Sequence, residues 1–269
     1  MKNNTVLITG ATSGIGEATA LKFLENSWNV LATGRNEEKL EYLKEKGAKV
    51  FKLDVTNEKS IVDLVNFILS GNIKIDILIN NAGYGQFGTI EETGIEKARK
   101  QFDTNVFGLA AVTQKIIPLM RDSGNGRVIN ISSVAGFTSM PGGGWYSASK
   151  FAVEAISDSL RWELKQFGIK VVIIEPGPIK TGFANAVKDN VVLGTDGPYG
   201  NLVKKLTTES TKSIKGGTAV GCANLIYKAA TKKNPKNRYI YTKEGKFIKI
   251  MLAIFPGKIV DTIVRKLFL

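Results

Sequence analysis

The sequence predicts a single α/β domain, a doubly wound parallel sheet flanked by helices on both faces, and three observations carry that expectation. Seven short β-branched runs alternate with longer amphipathic stretches, as parallel strands alternate with crossover helices. A glycine cluster follows the first run at once and leads into a helix. Residues of unusual chemistry stand directly after the runs, where the carboxyl ends of parallel strands gather ligands.

Taken in order, "TVLIT" is the first strand and "EATALKFLENS" the first helix, with "TGATSGIG" (Thr9 to Gly16) between them. A helix N-terminus leaves backbone N–H groups unpaired and carries partial positive charge, so an anion such as a pyrophosphate is stabilised there. Gly10, Gly14 and Gly16 lack the Cβ atoms that would hold a ligand or the packed helix away, and Thr12, Ser13 and Ile15 complete the turn. The spacing is G-x-x-x-G-x-G, which differs from the commoner dinucleotide fingerprint, and a plain glycine turn would look the same. "WNVLATG" is the second strand, ending at Gly34 with Arg35 next; "KVFKLDV" is the third, running to Asp54 and Val55. "DILINNAG" ends in Asn80, Asn81, Ala82 and Gly83, "GRVINISS" in Ser133, "IKVVIIEPG" in Pro176 and Gly177, and "RYIYT" closes the set. Helices such as "EEKLEYLKEKG" and "EKSIVDLVNFILSG" separate them.

The 269 residues, 43% of them hydrophobic, suit one substantial core, so residues 1–269 are read as one domain. Within it, 183–217 is a long Lys-, Thr-, Asn- and Gly-rich excursion before the last strand. Such loops are usually functional, and it is read as a substrate loop region, with a solvated insertion as the alternative. The opening "MKNNTVLITG" has no leader pattern and no apolar run approaches spanning length, so a cytoplasmic location is expected. Cys222 is the single cysteine, which excludes an internal disulfide. There is no histidine, which removes Ser-His-Asp hydrolysis and histidine-based dehydrogenation, and no metal site is expected. A net charge of +13 favours anionic partners, whether nucleotide phosphates, nucleic acid, acidic proteins or anionic lipid. No nucleic-acid motif accompanies it, so nucleic acid is not expected.

The stretch "WYSASKFAVEAISDSLRWEL" has helical periodicity and sets Tyr146 and Lys150 one turn apart on one side. A phenol titrates near pH 10, too high for a base at neutrality. A lysine cation about 5 Å away at an effective dielectric near 20 is worth roughly 3 kcal/mol, or about two pKa units. The pair is therefore expected to make Tyr146 a usable proton donor and acceptor. A surface Tyr–Lys pair would show the same spacing.

Together, TGATSGIG, the pair, "NNAG" at Asn80 to Gly83, "TN" at Thr104 and Asn105, "ISS" before Val134 and "PGPIKTGF" from Pro176 resemble the classical short-chain dehydrogenase/reductase family, over about residues 2–183 plus the last strand. The resemblance implies a Rossmann-type fold and reversible hydride transfer between nicotinamide and a carbonyl or secondary alcohol, without metal. It implies that Tyr146 is the acid/base, that Lys150 lowers its pKa and holds the nicotinamide ribose, that Ser133 binds the substrate oxygen and that Asn105 anchors a proton-relay water. Ser133 is chosen over Ser132 for its usual distance from the tyrosine. In the family, Asp54 with Val55 reads the adenine, Asn81, Ala82 and Gly83 line the cofactor floor, and Ile179 and Thr181 meet the carboxamide. NAD enzymes place an acid after the second strand. Here Gly34 and Arg35 stand there, and an Arg fork pairs with a 2′-phosphate, so NADP(H) is expected. Glu37 and Glu38 nearby, and Ser13 where many NADP enzymes carry a basic residue, point the other way.

For the substrate, the longer apolar ending resembles the 17β-hydroxysteroid and retinol dehydrogenase-like group and implies a lipophilic carbonyl or alcohol. A 3-oxoacyl-carrier-protein reductase and a non-catalytic nucleotide sensor are the alternatives. A homodimer or homotetramer is expected. In the C-terminal extension, 246–269, Ile259, Val260, Ile263, Val264, Leu267 and Phe268 repeat at helical spacing with Lys258, Asp261, Arg265 and Lys266 opposite. That predicts an ordered tail, either packed over the substrate cleft or subunit interface, or acting as a peripheral membrane anchor.

Overall fold

A computed structural model describes residues 4–121, 124–180, 191–192, 197–202, 216–255 and 257–268, the last six of these and 180, 191–192 by backbone alone. The seven runs form one parallel sheet: β1 (Thr5–Ile8), β2 (Asn29–Gly34), β3 (Lys49–Lys52), β4 (Ile77–Asn80), β5 (Arg127–Ile131), β6 (Lys170–Glu175) and β7 (Arg238–Ile240). Their order across the sheet is β7-β6-β5-β4-β1-β2-β3. Leu7 pairs with Leu31 on one side and Leu78 on the other, which fixes β1 at the centre. The chain winds outward from β1 to β3, then returns to β4 and winds the other way. The reversal between β1 and β4 opens a crevice at their carboxyl ends.

Helices cover both faces because the central strands are apolar on both sides. On one face α1 (Gly14–Glu25) packs against a later helix, Ala219–Thr231, with Phe23 edge-on to Trp28 at 5.2 Å and to Tyr227 at 5.1 Å. Phe23 is fully buried, worth about 2–3 kcal/mol. The short α2 (Glu37–Glu45) is capped by Asn36, whose side chain accepts from Lys39 N. On the other face α3 (Glu58–Ser70), capped by Asn57, brings Leu64 and Ile68 against the sheet. After α4 (Ile95–Phe102) comes one π-helical turn, Asp103–Gly108, and then α5 (Leu109–Arg121) with Ile116 and Met120 inward.

The long helix α6 (Gly144–Glu163) lies beside β5. Asn80 Nδ2 donates to Thr113 Oγ1 (2.8 Å) and Asn130 Oδ1 (2.9 Å), and Asn130 Nδ2 to Ser157 Oγ (2.8 Å). This buried amide ladder fixes α5 and α6 to β4 and β5, since a buried amide without partners costs about 1–3 kcal/mol. The helix Ala219–Thr231 is α7; buried Arg127 donates to the carbonyls of Ala229 and Ala230 at its C-terminal end.

Two helices follow β7, α8 (Lys243–Ile254), capped by Thr242, and α9 (Gly257–Phe268), so the described tail is ordered as helix. Most of the 183–217 excursion lies outside the described residues. Its described parts are edged into the fold: 191–192 pairs with Phe87–Gly88, 217–218 pairs with Ile179–Lys180, and Tyr199 donates its hydroxyl to Glu91 (2.6 Å). Among the described residues no group of histidine, cysteine and acidic side chains has metal-site geometry. Cys222 is buried, and burial pushes its thiol up to about 12, which makes it inert.

Candidate active site

At the reversal point the glycine turn is locked to the end of β4. Gly10 has φ +64° and Gly14 φ +54°, conformations that favour glycine. A Cβ on Gly10 would lie 2.7 Å from Ala82 Cα, and one on Gly16 would overlap Gly10 O and Asn81 Nδ2. Asn81 Nδ2 donates to the carbonyls of Thr9 (3.1 Å) and Gly10 (3.0 Å). Thr9 Oγ1 accepts from the backbone N–H of Asn81 and of Ala82, both at 3.1 Å. These bonds hold the first turn of α1 open toward the crevice, with Ser13 exposed and Thr12 and Ile15 half-buried. The unpaired N–H groups of that turn are the donor set a pyrophosphate needs.

The rim beside it carries the other predicted cofactor residues. Gly34 ends β2, and a Cβ there would stand 2.6 Å from Thr12 Cγ2. Arg35 is exposed next to it. Burial acts to raise the Asp54 carboxyl, but the Thr56 N–H and hydroxyl, together with Arg35, hold it below the ordinary range. Val55 is buried beneath it. Pro176 and Gly177 follow β6, and Gly177 is small because the Thr242 hydroxyl fills the space a Cβ would take. Ile179 pairs with Gly217. Thr181 lies outside the described residues.

Tyr146, Lys150, Ser133 and Asn105 converge at the carboxyl ends of β4 and β5. The Ser133 hydroxyl hydrogen-bonds the Tyr146 phenol, whereas Ser132 turns to Glu154. The π-helical turn carries Asn105 inward: its Nδ2 donates to Tyr84 O (2.9 Å) and Ser149 Oγ (3.1 Å), and its Oδ1 accepts from Tyr84 N (3.0 Å). Ser149 Oγ in turn donates to Tyr146 O (2.7 Å). A Cβ on Gly83 would lie 2.9 Å from Asn105 Oδ1 and 3.8 Å from Lys150 Nζ, which places the cofactor floor against the cluster. Phe87 lies beside the Tyr146 ring, centroids 5.4 Å apart, so the Phe87–Gly88 pairing with 191–192 brings the excursion to the rim.

One expectation is corrected. Lys150 Nζ donates to Ile131 O (2.9 Å) and stands 5.8 Å from the Tyr146 ring centroid. Burial pushes the Lys150 ammonium down to about 8, with Glu154 opposing, and the same burial holds the Tyr146 phenol above its ordinary value against the Ser133 hydrogen bond. Desolvation is the largest cause for both groups, and the dielectric argument from spacing omitted it.

Several contributors escaped sequence reasoning. Thr9 sits inside the glycine motif, and its hydroxyl position before the turn is a readable signal. Ser149 was visible between Tyr146 and Lys150 but had no reason to be singled out. Nothing in the sequence links Glu175, 1% exposed, to Lys249 (3.0 Å) and Arg238 (3.6 Å), or Arg238 to Glu154 (3.0 Å) and Asp158 (2.6 Å). This ion network fastens α8 behind the site, where a Cβ on Gly245 would stand 2.6 Å from Val134 Cγ1.

The short chain dehydrogenase family matches residues 4–191. The chain is 36% identical over 270 residues to an NADPH-dependent 3-dehydrocapnine reductase of Ornithobacterium rhinotracheale, covering 97% of this chain and 95% of the relative. It is 36% identical over 260 residues to a 3-ketodihydrosphingosine reductase of Bacteroides thetaiotaomicron, covering 94% and 92%. A solved short-chain dehydrogenase from Streptomyces avermitilis superposes with a TM-score of 0.83 at 32% identity, over 94% of this chain and 93% of the other. Because the family match spans residues 4–191 and the two relatives, each 36% identical, cover 97% and 94% of this chain, the protein belongs to the short-chain dehydrogenase/reductase family of oxidoreductases.

Proposed function

We propose that the chain is an NADP(H)-dependent reductase of a lipophilic ketone, acting through Tyr146, Lys150, Ser133 and Asn105. The observation that carries it is the convergence of these four side chains against the cofactor floor, Ser133, Asn105 and Lys150 buried and Tyr146 half-buried between them. Bound in the crevice, the nicotinamide supplies the hydride. Ser133 and the Tyr146 hydroxyl hold the carbonyl oxygen, and Tyr146 delivers the proton to that oxygen. Lys150 keeps a cation beside the ribose position, and Asn105 fixes the turn through which the proton is replenished.

The cofactor reading rests on the rim. The place where an acid would bind a ribose 2′-hydroxyl is Gly34, and no side chain fits there without displacing Thr12. Arg35 is free to pair with a 2′-phosphate. The substrate reading draws on the two relatives: both names, 3-dehydro and 3-keto, place the reduced carbonyl at carbon 3, and dihydrosphingosine is a long-chain base. A cytoplasmic homodimer or homotetramer completes the reading, with exposed Phe107, Phe151 and Trp162 as apolar surface for assembly.

Nicotinamide absorbance followed with long-chain 3-keto amines, 3-oxoacyl thioesters and short ketones tests it. Preferred turnover of the long-chain ketones with NADPH is expected, and Arg35→Ala should narrow the preference over NADH. Preference for 3-oxoacyl-carrier protein would install that alternative. Tight cofactor binding without turnover of any carbonyl would make the protein a sensor.

A further inference from the structure

We propose that α8 and α9 seat the protein on an anionic lipid surface, the outer face of α8 among the acyl chains and its lysines at the headgroups. The proposal deepens the lipophilic-substrate reading and rests on it for its purpose, though not for its test.

Five large apolar side chains within thirteen residues, Phe247, Ile250, Ile254, Phe255 and Ile259, are 43% to 66% exposed. Phe247, Ile250 and Ile254 recur at helical spacing and share one face of α8. The opposite face already has its partners: Gly245 lies on Val134, and Lys249 reaches Glu175 and stands over the Phe137 ring at 4.6 Å. The exposed stripe therefore lies on the side of α8 turned away from the core. Lys243, Lys246 and Lys258 are exposed around it and outnumber the one exposed acid of α8, Glu244. The α9 sequence segregates its apolar positions from Lys258, Asp261, Arg265 and Lys266, three cations to one acid, in the same way. At 12 residues each, these helices are too short to span a bilayer and suited to lie in its interface.

Charge decides between a lipid and a second copy of the chain. A two-fold contact through this stripe would press two lysine-flanked faces together between chains of net charge +13 each, whereas anionic headgroups neutralise the same lysines. Because the inner face of α8 backs the segment that carries Ser133, docking here holds the active site against the phase in which a long-chain ketone dissolves.

Flotation of the full chain with phosphatidylcholine vesicles, with and without phosphatidylglycerol, tests this without cofactor or substrate. Binding is expected to require phosphatidylglycerol and to fall with salt. The triple variant Phe247→Ser, Ile250→Ser, Ile254→Ser should lose roughly tenfold or more of the bound fraction with an unchanged melting temperature. Lys243→Glu with Lys246→Glu should weaken binding to the anionic vesicles. No flotation, or equal flotation of the triple variant, overturns the proposal. Loss of a dimer in the triple variant by sedimentation, with no vesicle binding, assigns the stripe to a second copy. Absence of ketone turnover would sink the reductase reading and leave the flotation result standing.

Discussion

Around Gly10, Gly16 and Gly34 the backbone meets backbone or a short side chain so closely that no Cβ fits, whereas beyond β6 the chain is fastened by a few long side chains reaching inward from a half-exposed helix. The first region tolerates almost no change because the nearest atoms are backbone at Gly10 and Gly16 and the short, branched Thr12 side chain at Gly34. The second has slack, since the lysine of the Lys249–Glu175 pair sits on a flexible stem with its side chain 41% exposed. One end of the molecule is thus shaped for a ligand of invariant form, and the other for partners that differ. The two meet at Tyr146.

At that meeting point the largest effect is expected. Tyr146→Phe should lower turnover by about 10²-fold or more, while cofactor affinity, read by fluorescence titration, stays near wild type. A residual rate above about a tenth would assign the proton to another group. Next comes the buried cation. Since the folded-state value of Lys150 is about 8 against an ordinary 10.5, the unfolded chain binds more protons between those values, and stability from this group rises with pH across that window. Below about pH 8 the buried charge is a full cost, so Lys150→Met should be more stable than wild type at pH 7 by up to about 3 kcal/mol. That advantage should shrink toward pH 10 in denaturant melts; an equal advantage at both pH values would mean the cation is not penalised.

The contrast between the two regions is sharpened by a matched pair of substitutions. Gly16→Ala forces a methyl onto Gly10 O and Asn81 Nδ2, and should cost about 1–3 kcal/mol of stability and roughly tenfold in cofactor affinity. Lys249→Met leaves buried Glu175 with Arg238 alone, at 3.6 Å, and should cost about 1–3 kcal/mol of stability. It should also speed chymotryptic cleavage at Phe247, with cofactor affinity unchanged. If the tail substitution weakened cofactor binding as much as the glycine one, the distinction between the two regions would fail.

The sequence disclosed the regions unequally for the same physical reason. All seven strands were legible, because buried parallel strands must be continuous apolar runs, and the glycine turn was legible because its constraint is local. The convergence of Tyr146 with Ser133 followed from a pattern of motifs, but the balance of burial against charge at Lys150 did not, because desolvation belongs to the packed state. The partnership of Glu175 with Lys249, 74 residues apart, has no local signature at all. The tail was foreseen as ordered helix from its periodicity. Which side of α8 stays exposed was visible only once Gly245 and Lys249 had taken the other.

The two-residue pairings of 179–180 with 217–218 and of 87–88 with 191–192 divide the work of holding the excursion. The first joins the points where the chain leaves and re-enters the fold, so the ends of the excursion are fixed to each other by backbone alone. The second ties an interior point to the strand that ends beside Tyr146. Neither pairing is made by side chains, so substitutions at 180, 191 and 192 leave the anchorage in place while Tyr146 and the glycine turn keep their geometry.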